Sequence, residues 1–529
     1  MPPLARTLLW ALPLAGLAIP AMAQRAPDAL TIGVAAPATS VDPHFFNAAP
    51  NAQLAAHVFS RLVERDALVR LQPGLAERWR AVAPTVWEFR LRPGVLWHDG
   101  HAFTADDVAF SLARAPNVPN SPSGYGSFLR MVTQVEVVDP LTLRLHTRQP
   151  HALLPTELGY IAIIARHAAQ GATTEEFNSG RAAIGTGPYR FVSHTANDRT
   201  ELARNDGYFG PREPWARVSL RFLGNDAART AALLAGDADL IDQVPTADLA
   251  RLKQDARVGV FEIQGLRLIF LQPDFSHEGP LPFVTDHAGQ PLPANPFRDL
   301  RVRRALSLGI DRAALAGRVM EGAAQPAGQW LPPGVYSHDP GTPVPPFDPA
   351  AARRLLADAG FPEGFRLTLH SPNDRYPNDA RIAQAVAQMW SRIGIRTEVA
   401  ALPWASFSAR AARQEFAMRL AGWGSSTGEA SYLLANVLGS YDPAARRGAA
   451  NAGRYSNPAL DALTDRATAT LDPLEREAVL RQAVHLASEE VALIPLLHLV
   501  NAWAARAGLR YDARMDERSL AMGLRRAEQ

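Results

Sequence analysis

The chain has 529 residues, 47% of them hydrophobic and 20% charged, with a formal net charge of +2 and no cysteine. That length supports two or three domains with sizeable cores. The near-zero net charge gives no case for nucleic acid or an anionic membrane surface as partner. The lack of cysteine excludes disulfides and thiolate metal sites, and a cysteine-linked lipid anchor is not expected.

In chain order, residues 1–23 read as a secretory signal peptide. Arg6 precedes an apolar run from Leu8 to Ile19 that contains Pro13, and Ala21-Met22-Ala23 offers the small-x-small cleavage pattern. A periplasmic location follows as the expectation. Leu30 to Val34 reads as a strand, followed by a loop from Ser40 to Asn47. His44, in that loop, has no partner at metal-binding spacing, so a loop-capping role is expected and no metal site.

From Val86 to Leu112 the pattern is dense. Trp87, Phe89 and Leu91 alternate with charged residues as in a half-buried strand, and Pro93-Gly94 supplies a turn. Val95 and Trp97 resume the alternation, which predicts a short hairpin. Thr104 with Asp107 then resembles a capping box opening a helix. A Pro/Ser/Gly-rich loop from Ala115 to Ser127 follows, with Tyr125 expected to be an exposed loop aromatic. Val135–Asp139 and Leu141–Leu145 read as a second hairpin. Gly185-Thr186-Gly187 lacks the Gly-Lys-Ser/Thr ending of a phosphate loop and leads through Pro188 into a strand, which argues against a nucleotide site. A helix from Ala227 to Ala235, stopped by Gly236, feeds a short strand at Asp239–Asp242. Leu268 to Gln272 is a buried-strand candidate, and a helix begins at Asp299.

Three later helices are marked by a capping side chain followed by proline: Asp348-Pro349, Asn457-Pro458 and Asp472-Pro473. In the last, Leu474, Val479, Leu480, Ala483, Val484 and Ala487 form the expected core-facing stripe. Strands are expected at Phe365–His370, Ile395–Val399 and Ile494–Leu499, with a helix from Asp379 to Ile393. Catalysis is not expected: His-Glu-x-x-His and a cysteine nucleophile are both absent, and no acid/base cluster stands out.

Several blocks together resemble the peptide/nickel-type extracellular solute-binding proteins of ABC importers, family 5. These are the Val86–Leu112 stretch, Leu75-Ala76-Glu77-Arg78-Trp79, Gly185 to Phe191, Ala235 to Ile241, Asp299 to Leu306, and Gly309-Ile310-Asp311-Arg312. The resemblance implies an α/β, two-lobed periplasmic binding-protein fold of the class II-like, "Venus flytrap" type, with an extra subdomain in the first lobe. The implied boundaries are residues 24–63, 185–265 and 495–529 for lobe I, 64–184 for the extra subdomain, and 266–494 for lobe II. It implies a monomer that closes on a small organic solute and delivers it to a membrane permease, with no cofactor. A periplasmic sensor, or a nickel- or haem-binding relative, is the alternative.

The resemblance also implies a site. Peptide-binding members carry Gly-Trp followed, three positions after the tryptophan, by an aspartate that pairs with the peptide α-amine. Here Trp423 is followed by Ser426, and a neutral hydroxyl cannot balance a buried ammonium. The expected solute is a peptide-like compound with a carboxylate, such as an oligopeptide, a modified peptide, a glutathione-like peptide or an opine, with Ser426 weighing against a standard free-amine peptide. Thr427 and Glu429 complete that stretch, with Glu429 the possible substitute anion. Arg375, in the loop after the Phe365–His370 strand, offers a bidentate partner for a ligand carboxylate, with Tyr376 beside it. Trp404 and Gln272 join by family position, and His44 and Phe45 because their loop lies near the cleft in the family. No metal ligand is assigned.

Overall fold

The computed structural model describes residues 28–425, 427–445 and 447–527, so the signal-peptide reading of residues 1–23 and the position of Ser426 lie outside the described residues. Two long strands organise the molecule. Val258–Pro273 and Ile494–Arg506 pair antiparallel along most of their length, with register shifts between Gln264 and Leu268 and between Ile269 and Phe270. They join two halves of one 12-stranded sheet. On one side lie Leu240–Ile241, Ala29–Val34, Arg217–Phe222, Arg199–Arg204 and Tyr189–Thr195; on the other lie Met418–Gly424, Arg366–Pro372 and Arg396–Leu402.

Residues 268–271 and 494–497 are apolar runs because there both faces of the crossing strands are covered. Leu268 and Phe270 are buried with Trp330 and Leu480, whereas Ile269 and Leu271 are buried with Leu369 and Trp390. A separate core, around Ile32, Val218 and Trp503, lies in the other half. The molecule is a two-lobed α/β fold whose lobes share these two strands. Ile494, Leu496, Leu497 and Leu499 are buried in the second lobe's core, and Trp503 and Ala505 in the first lobe's.

Residues of the inserted segment form a four-stranded antiparallel sheet with its own core. Here the expected Val86–Trp97 hairpin is corrected. The Pro93-Gly94 turn is present, with Gly94 at φ +72. However, Val86–Leu91 pairs with Ala76–Ala83 and Thr142–Thr147, and the chain after the turn makes only the bridge Leu96 to Ala102. Alternation identifies the strand but not its partner, which burial of Phe89 against Leu143 decides. Tyr125 is also corrected: it is 2% exposed, packed beside Phe128 in this core.

Helix starts follow the sequence closely. Thr104 and Asp107 form the capping box of Ala105–Arg114. Asp348, Asn457 and Asp472 each accept backbone N–H bonds at the starts of Pro349–Asp358, Pro458–Ala469 and Pro473–Glu489. In the last helix, Leu474 is 78% exposed and is not part of the buried stripe. It lies five residues before Val479, off the i+3/i+4 spacing that shares a face. Among the described residues, no helix is long and apolar enough to cross a membrane.

Candidate functional site

Three parallel strands of the second lobe, Arg366–Pro372, Arg396–Leu402 and Met418–Gly424, end on the same side. The carboxyl ends of parallel strands are where open α/β sheets place ligands. The loops leaving them carry Arg375 and Tyr376, Trp404, and the Ser425–Glu429 stretch. Gly428, in the last of these loops, approaches Val69 of the inserted segment, with 3.5 Å from an ideal Gly428 Cβ to the valine Cβ.

A cavity of about 450 Å³ lies where the lobes meet. The second lobe supplies Arg375, Tyr376 and Asn378, and the first supplies Val244, Thr246 and Trp503. Among the described residues, a hydrogen bond from Asn378 Nδ2 to Thr246 Oγ1 at 3.3 Å spans the lobes here. The strand-end loop is rigid because the buried Asp379 carboxylate accepts both the Arg375 and Tyr376 amides, at 3.0 and 3.1 Å. Tyr376 donates its hydroxyl to the Gly422 carbonyl at 3.1 Å. The glycine is required there, since a Cβ on it would lie 2.8 Å from the tyrosine ring.

The charges of this cavity are balanced with one exception. Arg267 is paired bidentately with Glu517, both contacts at 3.0 Å, and that anion holds the guanidinium above its usual range. Arg229 meets Asp226 at 2.8 Å and three backbone carbonyls. Arg381 lies 3.6 Å from Glu321. Asp242, buried, is pushed up to about 6 by desolvation, against bonds from the Ala35 amide and Ser519. The Arg375 side chain makes no hydrogen bond or ion pair with the described residues. Its guanidinium lies over the rings of Tyr376 and Trp404, at 5.3 and 5.4 Å. Asp374 is turned away to accept the Trp404 amide at 2.7 Å.

Trp423 lies on the opposite face of its strand from Tyr376, as alternation from Gly422 requires. Its ring packs 5.4 Å from Tyr432, and its buried indole N–H has no partner among the described residues. The Thr427 hydroxyl is in the same state. Glu429 is committed elsewhere. Its carboxylate takes the buried Arg476 at 2.6 Å and a bond from Ser431. Gln272 is buried beside Arg419, five ladder positions from the Arg267–Gly424 pair and hence remote from the strand ends. His44 is fully buried between the Ala162 carbonyl and Arg114, and burial pulls it down to about 4. Phe45 is half-buried, its carbonyl accepting from Ser121. Neither His44 nor Phe45 lines the cavity.

Gly424 to Gly428 also spells the Gly-x-Ser-x-Gly of hydrolase elbows. Here the strand passes into an irregular loop tied by Ser425 Oγ to the Glu429 carbonyl at 2.6 Å. Sequence reading missed the first-lobe wall, Gln243 to Thr246 with Asn501 and Trp503. These residues follow a two-residue strand or sit within a crossing strand, where neither motif nor charge marks them.

Residues 70–444 match the family model described as bacterial extracellular solute-binding proteins, family 5 Middle. The chain is 30% identical over 473 residues to heme-binding protein A of Haemophilus influenzae, covering 84% of this chain and 82% of that protein. It is 28% identical to the glutathione-binding protein GsiB of Pectobacterium atrosepticum, covering 85% of each, and 25% identical to the dipeptide-binding protein of Escherichia coli, covering 83% of each. Among solved structures, HbpA2 from Haemophilus parasuis superposes with a TM-score of 0.80 at 25% identity, over 94% of this chain and all of that one. The unliganded open form of the murein tripeptide-binding protein MppA gives 0.78 at 22% identity, over 95% and 98%.

Proposed function

The chain belongs to the family 5 bacterial extracellular solute-binding proteins, and on that premise we propose that it closes its lobes on a peptide-like carboxylate and hands it to a membrane permease. The observation that carries the ligand class is Arg375. A guanidinium on a rigid loop, facing an inter-lobe cavity without a carboxylate partner among the described residues, is a bidentate receptor for a carboxylate. The aromatic rings of Tyr376 and Trp404 fix its direction. The similarity to dipeptide- and glutathione-binding proteins supports the peptide-like class. Glu429, already neutralised by Arg476, is not available to balance an α-ammonium, which favours a solute whose amine is modified or remote.

In this reading the protein binds without transforming its solute, acts as a monomer in the periplasm, and carries no lipid anchor. A tetrapyrrole is the second reading, favoured by the similarity to heme-binding protein A. Calorimetric titration of the untagged mature protein with dipeptides, glutathione, opines and haemin separates them. Saturable binding of a peptide-like carboxylate supports the proposal. Saturable binding of haemin alone overturns it.

A further inference from the structure

We propose that Asp99, His101 and His167 form a surface site for a divalent transition-metal cation of the zinc, nickel or copper type. In sequence Asp99 and His167 are 68 positions apart, and the fold brings them together. His167 Nε2 lies 2.6 Å from Asp99 Oδ2, and His101 Nδ1 lies 3.1 Å from Asp99 Oδ1. The two imidazole rings face each other with centroids 4.3 Å apart. One ligand atom from each of the three side chains lies within 4.8 Å of the other two. Two imidazole nitrogens with one carboxylate oxygen form a mixed donor set that suits zinc, nickel or copper, whereas calcium and magnesium prefer oxygen alone.

The backbones that carry these donors are fixed from below. Gly100 N–H donates to the Trp97 carbonyl and Trp97 N–H to the His101 carbonyl, each at 2.8 Å, while Trp97 itself is buried. His98, between them, accepts from the Gly185 amide at 3.2 Å and meets the Gly187 carbonyl at 3.1 Å. On the other side, the amide of Arg166, next to His167, donates to the buried Asp107 carboxylate at 2.9 Å. The three side chains above this frame remain reachable, with His101 66% exposed. A cation would take the place of the protons now shared between imidazole and carboxylate, leaving its other positions to water. None of the three residues lines the inter-lobe cavity, so the site is separate from solute capture and does not depend on that reading.

The test is calorimetry and thermal unfolding of untagged protein with zinc chloride and with nickel chloride. The wild type is expected to take one ion per chain and to melt at a higher temperature with it. His101→Ala and His167→Ala should each bind at least about tenfold more weakly, in line with the cost of disturbing a metal's supporting residues. His485→Ala, which removes another surface histidine lying near two carboxylates, should bind as the wild type does. Both histidines are exposed, and melting of the metal-free variants checks that they fold. Broadening of the His101 and His167 ring resonances by nickel gives an independent readout. Absence of binding at millimolar ion, or equal binding in wild type and both variants, overturns the proposal. Solute affinity, measured on the same samples, should stay unchanged.

Discussion

Arg375 carries the account at the scale of single residues, and Trp423 and Glu429 bound it. Arg375 has no ion pair to lose among the described residues, only its contacts over Tyr376 and Trp404, so Arg375→Ala should change the melting temperature little. It should weaken carboxylate-solute binding by about 10- to 100-fold, the range expected for a charge-assisted hydrogen bond. Titration calorimetry with thermal unfolding checks both halves, and unchanged affinity would remove Arg375 from the site. Trp423→Phe keeps an aromatic body against Tyr432 and deletes an N–H that finds no partner within the described chain. With Trp423 on the face away from Tyr376 and outside the cavity lining, this variant should leave carboxylate affinity and stability near those of the wild type, which titration calorimetry and thermal unfolding check. Glu429 behaves in the opposite way. Glu429→Ala strands the buried Arg476 charge, so it should destabilise the fold by about 3–5 kcal/mol. Chemical denaturation measures this, and a variant of full stability with lost affinity would return Glu429 to the ligand site.

At the scale of elements, local rules were legible and pairings were not. Asp348-Pro349, Asn457-Pro458 and Asp472-Pro473 could be read as helix starts because a cap needs only neighbours in sequence. The strand at Val86–Leu91 was equally clear, but its partners Ala76–Ala83 and Thr142–Thr147 are chosen by a core that alternation does not encode. Leu474 shows the same limit within one helix, where position on the cylinder decided against hydrophobicity. The site follows this division. Arg375 and Tyr376, which line the cavity, sit on a strand-end loop of the kind sequence marks, whereas Trp423, singled out by its family motif, lies outside the cavity lining. The opposing wall came from Gln243–Thr246, Asn501 and Trp503, which share no motif with them. The Asp99, His101 and His167 group was likewise invisible, because spacing rules for metal ligands apply to neighbours in sequence and this group closes only in three dimensions.

The whole molecule is two lobes on two shared strands, and its charge state ties stability to pH. Burial holds His44, His57, His98, His370 and His498 down to about 4 from an ordinary 6.5. The folded state therefore favours neutral imidazole, and this contribution is complete above pH 6.5. It falls as the pH drops from 6.5 toward 4, because the unfolded chain takes up protons first. Asp242 and Glu213, raised by burial to about 6 and about 7, work the other way and gain on acidification. Burial pulls His194 and His338 down as well, so the lowered histidines outnumber the two raised carboxyls and the melting temperature should fall between pH 7 and pH 4.5. A melting temperature that rose over that range would show that the buried histidines do not govern it. Lobe closure is the other property of the whole. The Asn378–Thr246 hydrogen bond joins the lobes directly, and Asn378→Ala should favour the open form.

The central claim is that the space between the lobes holds a small carboxylate gripped by Arg375. Native mass spectrometry of the protein isolated from the periplasm, with release and identification of any bound mass, tests it most directly. The account predicts a peptide-like carboxylate on the wild type that is absent from Arg375→Ala prepared in parallel. A tetrapyrrole in its place, or the same bound mass on both proteins, would contradict it.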